Sequence, residues 1–357
     1  MKTFYHPTPE HLSRLDCHWM ASYSGGKDST SLVTWIEWLR RVGWLSVAKP
    51  ALVLSDTGVE YEILNDITED MIAVLRSCGW DCTIVKPRIN EKLYNRILGI
   101  GNTPIHAGAT RMRWCTRSTK IDPMKRFRKS AGTVLSLTGV RWGESKMRDG
   151  KLKRAGCAAG GECGLPEVDN TTYGPIIDWT TCQVIDWLNG HVSAEVTKPM
   201  RDIFSVTQRL VEAYQVRIGE IGFGWEPPKV TAMRFGCIGC PAITAKGNAP
   251  ASAKKHTHAS PVLHEIYAVW EEARLPKNRC HKPGIHKYGG PLRIEARKRL
   301  FVVIMDIQRR AGVVLITPED EAFIRQCWED KVYPRGWSEA DEDSEEPNCV
   351  LFDDPSV

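Results

Sequence analysis

The chain has 357 residues, 42% of them hydrophobic and 25% charged, with a formal net charge of +5 and twelve cysteines. That balance excludes a fully disordered or membrane-embedded chain, and no run approaches the roughly 20 apolar residues that a bilayer requires. The N-terminal residues 1–16 carry prolines, histidines and charges where an export signal has an apolar core, so a cytoplasmic protein is expected, and the twelve cysteines then read as metal ligands, nucleophiles or small buried apolar residues rather than disulfides.

The first unit in chain order is strand, turn, helix. Residues 17–22 are a short strand-like run before Gly25 and Gly26, and residues 29–42 place Leu32, Val33, Ile36 and Leu39 on one helical face. A strand follows at 51–55, and a helix over 60–77 is expected to turn Ile63, Ile67, Met71, Val74 and Leu75 inward. A third strand follows at 82–85. This alternation predicts an α/β fold with a doubly wound parallel sheet and right-handed crossovers.

A fourth strand is expected at 133–138, a long basic glycine-rich loop at 146–172, and a helix at 180–190 capped by Thr180. The remainder to about 334 reads as mostly helical, and no internal repeat is visible. Three regions are expected: an α/β nucleotide-binding domain at 1–198, a mainly helical, basic, cysteine-containing part at 199–335, and an acidic, disordered tail at 336–357.

Charge is distributed unevenly. No Lys or Arg follows Arg335, whereas eight acids lie between Glu339 and Asp354; without them the first 335 residues stand at +13. Basic residues concentrate at 111–129, 141–154 and 274–310. A body of this kind attracts a polyanion, nucleic acid being the natural partner, although the same residues also serve to solvate helices and surround nucleotide phosphates.

The hexapeptide Ser24-Gly25-Gly26-Lys27-Asp28-Ser29 stands between strand and helix. Its glycines permit the tight backbone that points successive amides at an anion, the helix start adds its dipole, Lys27 adds a full charge, and Ser24 and Ser29 add hydroxyls. Asp28 is placed to cap the helix or to position a metal ion. The spacing matches neither a Walker A loop nor the dinucleotide glycine fingerprint.

These six residues resemble the pyrophosphate loop of the adenine nucleotide alpha hydrolase superfamily. The resemblance extends to its 3'-phosphoadenylyl sulfate reductase-like branch: Asp56-Thr57-Gly58 is similar to an Asp-Thr-Gly element, and Thr138-Gly139-Val140-Arg141 with Glu144-Ser145 and Arg148 to a Gly-Val-Arg, Glu-Ser, Arg element. Trp179-Thr180 with Val184 and Trp187 is similar to a Trp-Thr helix. Within the branch, the chain looks most like the sulfurtransferases of DNA phosphorothioation, through Arg234-Phe235-Gly236-Cys237 and the basic C-terminal half.

The resemblance implies an adenine nucleotide, ATP with Mg2+, held by Ser22, Ser24, Gly25, Gly26, Lys27, Asp28, Ser29, Asp56, Thr57 and Gly139. Arg141 and Arg148 would face phosphate or sulfate, as guanidinium chemistry suits. It implies an ATP pyrophosphatase that activates an acceptor by adenylation and inserts sulfur supplied by a cysteine desulfurase; the alternative is an adenylyl sulfate or phosphoadenylyl sulfate reductase that releases sulfite.

Gly236-Cys237-Ile238-Gly239-Cys240-Pro241 puts two thiols on one tight turn, while Cys115 and Cys280 each neighbour basic residues. The resemblance implies a 4Fe-4S cluster on Cys115, Cys237 and Cys240, with Cys280 as the expected fourth ligand; zinc on the same set, or a redox pair without metal, remains open. Cys163, glycine-flanked in the basic loop with Cys157 nearby, is a candidate nucleophile or persulfide carrier. Cys78, Cys82, Cys182 and Cys327 are expected to be packing residues.

Overall fold

The computed structural model describes residues 5–9, 12, 15–16, 18–47, 49–105, 113–132, 135–143, 172–218, 237–241, 261–282 and 290–342. The chain divides into two compact units, each discontinuous in sequence. The first comprises residues 1–56, 60–86 and 123–235; the second comprises 57–59, 87–122 and 236–357.

The first unit is built on a five-stranded, wholly parallel sheet of β1 (Trp19–Tyr23), β2 (Ala51–Ser55), β3 (Asp81–Val85), β4 (Leu135–Leu137) and β5 (Thr172–Tyr173), in the order β3-β2-β1-β4-β5. Ala21 of β1 pairs with Leu52 on one side and Leu137 on the other, which fixes β1 at the centre. The helices are α1 (Lys27–Arg41), α2 (Glu62–Ser77), α3 (Asp122–Ala131), α4 (Thr181–Asn189) and α5 (Arg201–Ile218). Right-handed crossovers with this strand order put α1 and α2 on one face and reverse the winding between β1 and β4. A parallel sheet reverses there at its topological switch point, where ligands enter at the carboxyl ends of the strands.

The α/β reading from sequence holds. Leu32, Val33, Ile36 and Leu39 are buried on α1, and Ile67, Met71 and Leu75 on α2. Ile63 departs from the expectation: it is 37% exposed, and Leu64 takes the inward place at the start of α2. The buried positions 64, 67, 68, 71, 72 and 75 form one stripe, which a start one residue off would miss. Helix α5 belongs to the first unit, although it lies beyond the expected boundary at residue 198.

Helix α4 begins at Thr180, whose hydroxyl accepts from the Gln183 amide at 3.2 Å while the Gln183 side chain accepts from the Thr180 N–H at 2.7 Å. This capping box sets the direction of α4. It sends Trp187, fully buried, against α1, where its indole donates to Thr34 at 2.8 Å. Thr34 in turn donates to the carbonyl of Thr30, the residue that follows the hexapeptide, at 2.8 Å. Trp179 and Trp187 meet edge-on at 5.6 Å and pack against Trp35 and Trp38 of α1, so the side of α1 that meets α4 is held by aromatic packing.

The second unit carries α6 (Glu265–Arg274), α7 (Ile294–Ala311) and α8 (Pro318–Glu329). Its centre is Arg297, fully buried, whose guanidinium donates to the carbonyls of Leu292 at 2.8 Å, Gly99 at 2.9 Å and Val332 at 2.7 Å and lies 4.5 Å from the Tyr333 ring centroid. Asp320, in the first turn of α8, accepts from Lys92 at 2.8 Å and from Asn95 at 2.7 Å, tying the 87–100 segment to that helix. No helix among the described residues is long and apolar enough to cross a membrane.

Candidate functional site

The hexapeptide follows β1 directly and runs into α1. Gly25 has φ of +68°, and a Cβ there would lie 2.3 Å from the Thr68 hydroxyl, so both conformation and space demand glycine. Gly26 is the N-cap of α1 and supplies no side chain to the helix's first amides. Ser29 organises the turn instead. Its hydroxyl donates to the Gly26 carbonyl at 3.0 Å, accepts from the Ser24 N–H at 3.2 Å and lies 3.0 Å from the Ser24 hydroxyl. The result is a curled backbone at the positive end of a fifteen-residue helix, the geometry that receives a phosphate.

Asp28 stands between two cations. Its Oδ2 accepts from Lys27 Nζ at 2.6 Å and its Oδ1 from Arg141 Nε at 2.7 Å. Arg141 is 3% exposed and spends its remaining reach on the Trp179 carbonyl at 2.7 Å and the Thr181 hydroxyl at 3.4 Å. Arg141, which the resemblance turns towards phosphate or sulfate, also joins Asp28 to the start of α4.

Gly139 explains how these parts come so close. A Cβ on it would meet the Asp28 carbonyl oxygen at 2.7 Å and the Ser29 nitrogen at 2.9 Å, so the segment after β4 presses backbone to backbone against the start of α1. That contact sits at the switch point between β1 and β4. Ser22 faces the neighbouring strand: its hydroxyl is 3.0 Å from that of Ser136, to which Arg128 donates at 2.7 Å. Asp56 closes β2, its amide donating to the Val85 carbonyl at 3.0 Å and its carboxylate 3.3 Å from Lys86. Thr57, next in sequence, belongs to the second unit and is buried there.

Sequence reasoning missed Thr68, which limits Gly25, and Tyr214, whose hydroxyl oxygen accepts from the Lys27 amide at 3.4 Å. Both lie on distant helices and carry no local signal. Arg148 and Cys163, with Glu144, Ser145, Cys157, Arg234 and Cys349, lie outside the described residues.

The proposed metal ligands all fall in the second unit. Cys115 sits in a short helical turn whose carbonyl accepts from Ser118 at 3.2 Å and Thr119 at 2.9 Å. Cys280 is fully buried, with its amide on the Pro291 carbonyl at 2.8 Å and its own carbonyl taking the Gly290 amide at 2.8 Å. Desolvation by burial, with Glu342 adding to it, pushes its thiol up to about 12, the opposite of what a ready thiolate ligand needs. Among the described residues no group of three or more His, Cys, Asp and Glu side chains is placed to hold a metal ion. The assignment of Cys115, Cys237, Cys240 and Cys280 to a 4Fe-4S cluster or a zinc ion rests on the resemblance of their segments alone. Among the expected packing cysteines, Cys82 and Cys327 are buried, Cys78 accepts from Arg41 at 2.9 Å, and Cys182 is exposed on α4.

No protein-family model matches the chain, and no curated protein matches it. Among solved structures it is similar to the phosphoadenylyl-sulfate reductase from Candida auris in its phosphate complex, at 16% identity and a TM-score of 0.35, over 54% of this chain and 84% of that one. What fold and site define on their own is a parallel α/β unit with a glycine-rich turn and a helix start at its switch point.

Proposed function

We propose that the chain is an enzyme that binds an adenine nucleotide by its phosphates on the turn from Ser24 to Ser29. More particularly, we read it as an ATP pyrophosphatase-type sulfurtransferase whose acceptor is a nucleic acid, as in DNA phosphorothioate modification. The observation that carries the nucleotide part is the start of α1: a helix N-terminus without a side-chain cap, at the switch point, with Lys27 in its first turn and Asp28 clamped in place. The resemblance of the hexapeptide and of the elements at Asp56 and Gly139 supports adenine as the base, and the +13 balance of the first 335 residues supports a polyanionic acceptor.

In this reading the acceptor oxygen attacks the α-phosphorus of ATP and pyrophosphate leaves with the bridging electron pair. The terminal sulfur of a persulfide, supplied by a cysteine desulfurase, then attacks the activated acceptor and expels AMP, and a second thiol cleaves the S–S bond so formed, which leaves the sulfur on the acceptor and joins the two thiols as a disulfide. The helix amides and Lys27 would stabilise the charge that builds on the phosphates, and Mg2+, when bound, would supply further charge neutralisation. Arg141 is a positioning residue that keeps Asp28, and through it the first turn of α1, in register.

The test is incubation with ATP, a sulfur source and defined DNA or RNA, followed by mass spectrometry of the digested nucleic acid. A thio-substituted product together with AMP is expected. Sulfite released from an adenylyl sulfate in the presence of thioredoxin, with no pyrophosphate from ATP, would replace this reading by the reductase. Binding to DNA or RNA should weaken steeply with salt, and neutralising Arg113, Arg117, Lys120 and Lys125 should reduce that slope.

A further inference from the structure

Trp114 opens a short helical turn in the second unit and is only half-buried there. Its one donor is spent within the chain, since Nε1 donates to the Thr103 carbonyl at 3.0 Å. Thr103 is itself fixed, its hydroxyl donating to the Gly290 carbonyl at 3.0 Å and accepting from Arg279 at 3.1 Å. The Arg96 guanidinium lies over the indole, 5.3 Å from the ring centroid, and its Nε donates to the Asn102 side chain at 3.3 Å. The ring is therefore held at its polar edge and backed by a cation. A tryptophan so placed offers π-surface, and no further hydrogen bond, to whatever approaches it.

Cations flank it along the same segment. Arg113 and Arg117 are both exposed, and the Arg117 amide donates to the Arg113 carbonyl at 3.4 Å, so the two stand one helical turn apart on one side. The Arg117 side chain is 77% exposed, and its approach to Asp122 at 3.6 Å is a surface pair that a phosphate replaces at little cost. An aromatic face beside exposed guanidinium groups suits a polyanion that carries rings, which describes nucleic acid. A duplex hides the faces of its bases within its own stack, whereas an unpaired nucleotide presents one. An indole whose N–H is committed cannot read base edges, and stacking is what it has to give.

We propose that Trp114 is a stacking platform for an unpaired nucleotide base, with Arg113 and Arg117 on the adjoining phosphates. The inference rests on the nucleic-acid part of the proposed function and narrows the acceptor to single-stranded or locally opened nucleic acid. Arg96 backs the ring, so that guanidinium, indole and base form three layers, and a ring already held in place spares the complex the cost of ordering it. Stacking of this kind is tolerant of base identity, because every base has a π-face. The arginines add an attraction that weakens with salt.

A single-stranded DNA oligonucleotide carrying one iodouracil, and a hairpin duplex of the same length, serve as probes for the full-length chain. Irradiation of the single-strand complex should join the iodouracil to the tryptic peptide 114–117, released by cleavage after Arg113 and Arg117, with the link on Trp114. In anisotropy titrations Trp114→Leu should weaken binding of the single strand about tenfold, within the range for one lost base stack, with duplex binding and the salt slope unchanged. Trp114→Phe should recover most of that loss. Arg117→Gln should instead lower the salt slope by about 0.7, the share of one phosphate contact on a single strand. A bound single strand that links elsewhere, or a Trp114→Leu loss equal for single strand and duplex, overturns the platform and leaves the nucleic-acid reading standing. A wild-type chain that binds neither probe overturns both. The cross-link is read on wild-type protein, so a variant that fails to fold leaves the test intact.

Discussion

Removal of the Asp28 carboxylate should destabilise the first unit chiefly by stranding Arg141. Arg141 is 3% exposed, and its Nε would lose the oxygen it now reaches at 2.7 Å. A charge left buried without its partner costs about 3–5 kcal/mol. Two features lower that figure here: the Asp28 side chain is 18% exposed, so water can replace part of it, and Arg141 keeps its bonds to the Trp179 carbonyl and Thr181. About 2–3 kcal/mol is the expected loss for Asp28→Ala, near the value of a hydrogen bond to a charged group. Arg141→Met should cost a similar amount, because it leaves the carbonyl of Trp179 and one oxygen of Asp28 unmet. The double variant should cost about 1–2 kcal/mol less than the sum of the two, the coupling typical of side chains in one network. Urea unfolding followed by tryptophan fluorescence measures this, since Trp35, Trp179 and Trp187 all pack around α1. Additivity within about 0.3 kcal/mol would refute the view that Arg141 serves Asp28.

Gly139→Ala should be among the most damaging small substitutions. Its methyl would stand 2.7 Å from the Asp28 carbonyl oxygen, a backbone atom that cannot swing aside. Overpacking of that kind costs about 1–3 kcal/mol, and nucleotide binding should fall further than stability as α1 is pushed from the loop; unchanged binding of ATP in a titration would contradict the close approach. Cys280 should resist iodoacetamide at pH 8 in the native chain and react once denatured. Because its thiol is raised to about 12, it favours folding fully below the ordinary thiol range, and that contribution is lost as pH climbs from about 9 towards 12. A Cys280→Ser variant with the same alkaline unfolding midpoint as wild type would remove this cause.

Much of the first unit was legible because its signals are local. Strand, glycine turn and amphipathic helix follow one another without interruption from Trp19 to Val85, and Thr180 with Gln183 spells a capping box within four residues. The hexapeptide was legible for the same reason. What escaped the sequence depends on contacts between distant positions. Tyr214 reaches Lys27 from 187 residues away, and Thr68 decides what fits at Gly25. The resemblance turns Arg141 towards phosphate or sulfate, but its hydrogen bonds to the Trp179 carbonyl and Thr181, 38 and 40 residues on, are not legible in the sequence. Spacing along the chain likewise groups Cys237 with Cys240 but is silent on whether Cys115 and Cys280 come to meet them. Strand β5, two residues long, is too short to carry a periodicity.

The central claim, that the turn from Ser24 to Ser29 holds an adenine nucleotide for cleavage at its α-phosphate, is tested most directly by the products of ATP. With acceptor present, the account predicts AMP and pyrophosphate in equal amounts from the wild-type chain, and a loss of at least about tenfold in their rate for Lys27→Ala, the effect of about 1.4 kcal/mol in transition-state stabilisation. ADP and orthophosphate, or a rate that Lys27→Ala leaves unchanged, would contradict it.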